Sequence, residues 1–154
     1  MVWSLRRPSR ETVAWVLVIG FLLFMQWPML KGTWYKRTGR VPPETAIAWH
    51  ADLDAALAEA RRSGRPVLVD FAADWCPPCI TMKHDVWPRP EVAAAVRDGY
   101  VPLVIDVDLQ PAIASRYEVA GIPTILVIDE DGSVLRRTTY RNAAGMVRFL
   151  EGDS

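Results

Sequence analysis

Residues 69–79 read Val69-Asp70-Phe71-Ala72-Ala73-Asp74-Trp75-Cys76-Pro77-Pro78-Cys79. The run starts in an apolar, β-branched stretch, Pro66 to Ala72, that suits a strand buried on both faces. It ends in two cysteines three apart. Proline is tolerated in the first turn of a helix, where its missing amide hydrogen would have had no intrahelical partner. The pattern therefore predicts a strand feeding a helix that starts near Cys76 and continues towards Val86. These are the only two cysteines in the chain, so a disulfide scaffold is excluded. A bridge over two intervening residues restrains little of an unfolded chain, and the pair is better suited to opening and closing. At a helix start, unpaired amides and the positive end of the helix dipole favour a thiolate. Cys76 is then the nucleophile, and Cys79, one turn on, is the resolving thiol that attacks a mixed disulfide.

Working outward, Trp49 to Ser63 places Trp49, Leu53, Ala56, Leu57 and Ala60 on one stripe, which predicts an amphipathic helix stopped by Gly64. Pro88 and Pro90 interrupt the helix after the cysteines, and Glu91 to Arg97 forms another. Tyr100 to Val107 reads as a second buried strand and Pro111 to Tyr117 as a short helix. Thr124 to Ile128, the turn Asp129-Glu130-Asp131-Gly132 and Ser133 to Tyr140 form a hairpin signal. Asn142 can cap a last helix through Leu150 that buries Met146, Phe149 and Leu150. Early alternation of helix and strand demands crossovers and parallel pairing, and the late hairpin adds an antiparallel edge. The expected fold class is α/β, a mixed central sheet with helices on both faces, over residues 46–152.

The front of the chain differs. Val13 to Leu30 holds eighteen residues without a charge, interrupted by Gly20, Gln26 and Pro28. As one helix it would span about 27 Å, close to the hydrocarbon thickness of about 30 Å, with Trp15, Trp27 and Trp34 near its ends. No small-residue cleavage pattern follows it, so an uncleaved transmembrane anchor in the lipid bilayer is expected over 13–30. Residues 1–12 form a basic flank, and residues 31–45, with Gly32, Gly39, Pro42 and Pro43, read as a linker. Arg6, Arg7 and Arg10 precede the run while Lys31, Lys36, Arg37 and Arg40 follow it, so charge does not set the orientation. Arg6-Arg7 is ordinary flanking charge, because Pro8-Ser9-Arg10 follows where a twin-arginine signal turns apolar.

The motif Val69 to Cys79, together with Gly121-Ile122-Pro123-Thr124, resembles the thioredoxin family, and the likeness covers roughly residues 45–152. Arg65-Pro66-Val67 and the run Met82-Lys83-His84-Asp85-Val86-Trp87 before Pro90-Glu91-Val92 most resemble the carboxyl-terminal domain of membrane thiol:disulfide interchange proteins of the DsbD type. The resemblance implies a thioredoxin fold and a protein-disulfide reductase whose redox disulfide is Cys76–Cys79. It implies that Pro123 is a cis-proline, and X-Pro is the only bond where cis is cheap. Trp75, Ile122 and Pro123 would meet the substrate, and Asp70 would be the buried acid that shuttles a proton to or from Cys79. Thioredoxins usually place a lysine near that acid, and here Val104 stands at the corresponding place. Pro77-Pro78 contains no histidine to stabilise the thiolate further, which favours a reducing role. The implied setting is a bacterial inner membrane with the domain in the periplasm. Its implied partners are disulfide-bearing proteins such as apocytochromes and a membrane electron donor.

With 154 residues, the chain has room for one domain and a short appendage. At 51% hydrophobic and 23% charged, it is neither disordered nor a charge-dominated binder. Residues 1–40 hold seven of the 18 Lys+Arg and one acid, so a +6 front joins a −6 body. That offers no broad cationic face, and nucleic acid is not expected as a partner. No cofactor is expected either: haem attachment would need His directly after Cys79, where Ile80 stands. A copper- or zinc-delivery protein could use Cys76, Cys79 and His84, perhaps with His50, but His84 lies five residues past Cys79 and is turned away from the sulfurs on a helix. A disulfide oxidase or isomerase of the same fold would use the same two cysteines. A redox-inert interaction module would leave a cysteine pair at a helix start without a reason.

Overall fold

The structure is a computed structural model that describes residues 9–152. The basic flank before Ser9, with Arg6 and Arg7, lies outside the described residues. The element order is α1 (Arg10–Met25), α2 (Trp27–Thr38), α3 (Leu53–Ser63), β1 (Val67–Ala72), α4 (Pro77–Asp85), α5 (Pro90–Gly99), β2 (Val101–Asp106), α6 (Pro111–Arg116), β3 (Thr124–Ile128), β4 (Val134–Thr138) and α7 (Ala143–Glu151). The four strands form one sheet in the order β2-β1-β3-β4. β1 pairs parallel with β2 and antiparallel with β3, and β3 pairs antiparallel with β4. The expected mixed sheet is therefore present.

β1 is one of the two inner strands and all six of its residues are buried, as its largely apolar run requires. Alternation along it splits the core in two. Val67, Val69 and Phe71 join Leu57 of α3 and Tyr117 after α6 on one face. Leu68 joins Met82 of α4, Val96 of α5 and Met146 of α7 on the other. Asp70 and Ala72 share the second face with Leu68, which aims them towards α4. β4 is the outer strand, and its Val134, Leu135 and Arg137 are exposed.

Local signals explain most helix ends. Asp52 caps α3 by accepting from Ala55 N at 2.7 Å, and Gly64 ends it in the left-handed region at φ 69°. The helix expected from Trp49 thus starts at Leu53. His50 instead makes a parallel bridge beside β2, donating to Pro102 O and accepting from Val104 N, each at 2.9 Å. Asn142 caps α7 through Gly145 N at 2.9 Å, as expected.

The front of the chain departs from expectation in two ways. The apolar run is not one helix: α1 and α2 meet at Gln26 with a 59° bend. Pro28 explains the break, because it cannot donate to the carbonyl four residues back and its ring clashes there, yet it fits the first turn of α2. No single helix among the described residues is long and apolar enough to cross a membrane, although the bent pair passes that test together. α1 buries none of its residues. The second departure concerns residues 31–45, because the segment expected to be a linker is helical through Thr38 and packs on α4.

That packing is specific. A Cβ on Gly32 would lie 1.7 Å from Pro77 O and 2.6 Å from Pro77 Cα, so only glycine permits this approach. Thr81 donates its hydroxyl to Pro28 O at 2.7 Å. Lys31 Nζ and Tyr35 OH both donate to the Asp85 carboxylate, at 2.7 and 2.9 Å. The Tyr35 ring stacks on His84, with centroids 3.9 Å apart and planes 9° from parallel.

Candidate active site

The site forms where β1 ends and α4 begins. Cys76 occupies the N-cap of α4 in an extended conformation, and its Sγ accepts a hydrogen bond from Cys79 N at 3.3 Å. Pro77 and Pro78 carry no amide hydrogen, so the first donor of the helix is that of Cys79 and it points at the Cys76 sulfur. The backbone thus supplies the local positive potential that a thiolate needs. The two cysteines are bonded to each other, with Cα atoms 5.3 Å apart. Both are 2% exposed and pack with Ala72 and Ile122.

The peptide bond between Ile122 and Pro123 is cis, and it leads directly into β3. Thr124 Oγ1 donates to Gly121 O at 2.6 Å and Thr139 Oγ1 donates to Pro123 O at 2.8 Å, so hydroxyls hold the loop on both sides. Trp75 is 57% exposed beside the buried sulfurs. Its Nε1 donates to Asp108 Oδ2 at 2.7 Å, which fixes the indole as a flat apolar surface at the mouth of the site.

Asp70 is buried in β1. Trp87 Nε1 donates to its Oδ2 at 2.9 Å, and its Oδ1 has no hydrogen-bond partner among the described residues. Burial pushes the Asp70 carboxyl up to about 6 from an ordinary 3.8, against the smaller opposing effects of the Trp87 hydrogen bond and the Lys83 charge. Across the parallel pairing its partner is Val104, so no cation faces it from β2. Lys83 is engaged elsewhere, donating to Asp74 Oδ1 at 2.9 Å. A buried carboxyl with one free oxygen and a mid-range pKa can take and return a proton near neutral pH.

The structure brings Cys76, Cys79 and Ile122 into contact, with Pro123 and Trp75 adjacent to them in the chain, and Asp70 is buried in β1 and bonded to Trp87. His84, weighed above as a metal ligand, lies against Tyr35 of α2, and burial there lowers its pKa. Among the described residues, no group of three or more His, Cys, Asp or Glu side chains could hold a metal ion. Sequence reasoning missed Trp87 as the partner of Asp70. It also missed the α2 residues Gly32 and Tyr35, whose only sequence signal was an aromatic pair, Trp34-Tyr35, inside an apparent linker.

A disulfide at the start of a helix, packed against Ile122 of the Ile122–Pro123 loop on a mixed four-stranded sheet, defines a thioredoxin-like redox domain. The comparisons agree. Residues 48–130 match the family model described as Thioredoxin-like, and the chain belongs to that family. It is 41% identical over 111 residues to the thiol:disulfide interchange protein DsbD of Pseudomonas fluorescens, a match covering 70% of this chain and 19% of that protein. The chain thus spans about a fifth of that relative's length. It is 34% identical over 89 residues to a thioredoxin-like protein of Synechocystis, covering 58% of this chain and 82% of that protein. The oxidised carboxyl-terminal domain of DsbD from Neisseria meningitidis superposes with a TM-score of 0.59 at 31% identity, over 70% of this chain and all of that one. These relatives are thiol-disulfide oxidoreductases and their thioredoxin-like kin.

Proposed function

We propose that the chain is a membrane-anchored thiol-disulfide reductase for cell-envelope proteins, with Cys76–Cys79 as its redox centre. In the dithiol form, the Cys76 thiolate attacks a client disulfide, one client sulfur leaves as a thiolate, and a mixed disulfide forms. Cys79 then attacks Cys76 Sγ, expels the second client thiolate and regenerates the Cys76–Cys79 bond. Two electrons pass to the client, and its two thiolates take up the protons given up by the cysteines. Asp70 accepts the Cys79 proton in the second step. Trp75 and Ile122 offer apolar surface to the client, and the backbone around Pro123 pairs with its extended strand.

The observation that carries this reading is the Cys76 sulfur at the α4 N-cap, accepting from Cys79 N, beside the cis Ile122–Pro123 loop. The anchor reading draws on α1, which is apolar, buries nothing and passes the span test together with α2. At about 24 Å, α1 alone falls short of about 30 Å of hydrocarbon, so the segment after the bend completes the crossing at the interface, where Trp27 sits. The resemblance to the DsbD type implies an inner membrane with the domain periplasmic, where an oxidising compartment makes local reduction necessary. The inferred partners are disulfide-bearing envelope proteins, with apocytochromes as one class, and a membrane dithiol donor.

The test is insulin reduction by the full chain in detergent, with a redox titration against glutathione. A potential near the thioredoxin value of about −270 mV is expected; one near the strong-oxidant value of about −120 mV would reverse the assignment to an oxidase.

A further inference from the structure

Residues 31–45 look like a tether, and fifteen flexible residues could carry a domain up to about 50 Å from its anchor. The structure removes much of that freedom. α2 follows α1 across the bend at Gln26 and docks on the helix that carries the disulfide. We infer that α2 is a strut, not a flexible tether, that holds the Cys76–Cys79 pair near the bilayer surface, so that the membrane dithiol donor proposed above reaches it in preference to a soluble thiol. The inference rests on the membrane reading proposed above.

The reach follows from geometry. Gln26 and Gly32 are six residues apart along the chain, about 9 Å of helical rise. At Gly32 the α2 backbone touches Pro77, and Cys76 is one Cα–Cα step of about 3.8 Å further on. The disulfide is therefore held within about 20 Å of the point where α1 ends. The headgroup layer occupies about 5 to 8 Å of each side of a bilayer, so the sulfurs stay within reach of groups held at the lipid surface. A folded body of this size has a radius of gyration of about 13 Å. The reach of about 20 Å is of the same order, so the docked α2 keeps the sulfurs close to the end of α1.

The docking is built to hold. Gly32 lets the two backbones meet, and Lys31 and Tyr35 converge on Asp85. Thr81 reaches back to Pro28, and Tyr35 covers His84. These contacts involve α4 along its length, from Pro77 in its first turn to Asp85 in its last. They add no group to the sulfurs, so their role is to place the site.

The exchange itself balances without a further reactant. One thiolate of the surface dithiol attacks the Cys76–Cys79 bond at Cys76 Sγ, and Cys79 leaves as a thiolate and is protonated. The second partner thiolate attacks its own sulfur in the mixed disulfide and releases Cys76. The partner becomes a disulfide, and the two cysteines gain two electrons and two protons.

The test reads distance first. In a Cys76→Ser, Cys79→Ser background, Leu109→Cys gives one thiol on an 80% exposed side chain next to Asp108, which holds Trp75. The full chain carries a donor fluorophore there and is placed in lipid nanodiscs with an acceptor on the headgroups. Strong quenching with a narrow lifetime distribution is expected. Gly32→Leu, and separately Lys31→Met with Tyr35→Phe, which removes both donors to Asp85 without added bulk, should lengthen and broaden the lifetimes.

A second arm uses the chain with both cysteines intact. Its disulfide is reduced by a transmembrane peptide bearing a Cys pair at its interfacial end, or by the same Cys segment without the span. The preference for the membrane peptide should fall roughly tenfold in the Lys31→Met, Tyr35→Phe variant as effective concentration drops. The rate with the soluble peptide should be unchanged. Protein that floats with vesicles but shows equal lifetimes and an equal peptide preference with and without these substitutions overturns the strut alone. Protein that fails to float overturns the membrane reading and the strut with it.

Discussion

Asp70→Asn isolates the cost of the buried acid. Burial holds the Asp70 carboxyl at about 6 when folded, against 3.8 as its ordinary value. The folded chain therefore binds this proton more tightly than the unfolded chain does. Stability is greatest below pH 3.8, declines as the pH rises through the interval up to about 6, and is then level. The gap between the two values corresponds to about 3 kcal/mol. Asparagine keeps an oxygen to accept from Trp87 Nε1 but cannot ionise. Its extra amide donor, placed where Oδ1 has no partner among the described residues, costs about 1 to 3 kcal/mol at every pH. That cost cancels when the same pair is compared at two pH values. Guanidinium unfolding of the oxidised protein and the variant should show the variant gaining about 3 kcal/mol relative to the parent between pH 3.5 and pH 8. Two stability curves that run parallel across that range would refute both the burial and the proton assignment.

Three further outcomes are expected. Cys79→Ser should accumulate a mixed disulfide with insulin through Cys76, seen by mass spectrometry, whereas Cys76→Ser should accumulate none; the reverse pattern would exchange the two roles. Trp87→Phe removes the hydrogen bond that holds the Asp70 carboxyl down, so its titration by carbon NMR should move above about 6; a midpoint at or below the parent's would show that the bond does not act on the acid. Met146 is fully buried between α7 and the sheet, and Met146→Ala should cost about 2 to 5 kcal/mol in thermal or denaturant unfolding; a loss under about 1 kcal/mol would mean the site collapses around the gap.

The redox half of the molecule was legible because its signals are local. Pro77-Pro78 after a β-branched run marks a strand-to-helix junction, Asp129 to Gly132 marks a hairpin, and Asn142 marks a helix start. In the structure Gly132 N donates back to Asp129 O at 3.0 Å, which closes that turn. Trp49 illustrates the limit of periodicity: it fits the apolar stripe of α3, but the Asp52 cap accepts from Ala55 N and starts the helix at Leu53, which leaves Trp49 to pack edge-on against Trp87. The continuity of the front helix and the docking of the apparent linker were misjudged for a different reason. Hydropathy weighs composition and not backbone continuity, so it ran through Pro28. Glycine in a polar stretch also reads as freedom, whereas Gly32 is glycine because another backbone lies against it. Contacts between segments about fifty residues apart leave no periodic trace, and the Trp87–Asp70 bond was hidden in the same way.

The open margin of the sheet carries its own safeguard. Arg137 donates to Tyr117 O at 2.7 Å, and Arg136 donates to Phe149 O and to Tyr100 OH, so carbonyls and a phenol pin both guanidinium groups beside the outermost strand. A neighbouring copy that tried to extend the sheet would meet two immobilised like charges and would have to desolvate them. Crowded molecules should thus resist stacking into fibrils along this border.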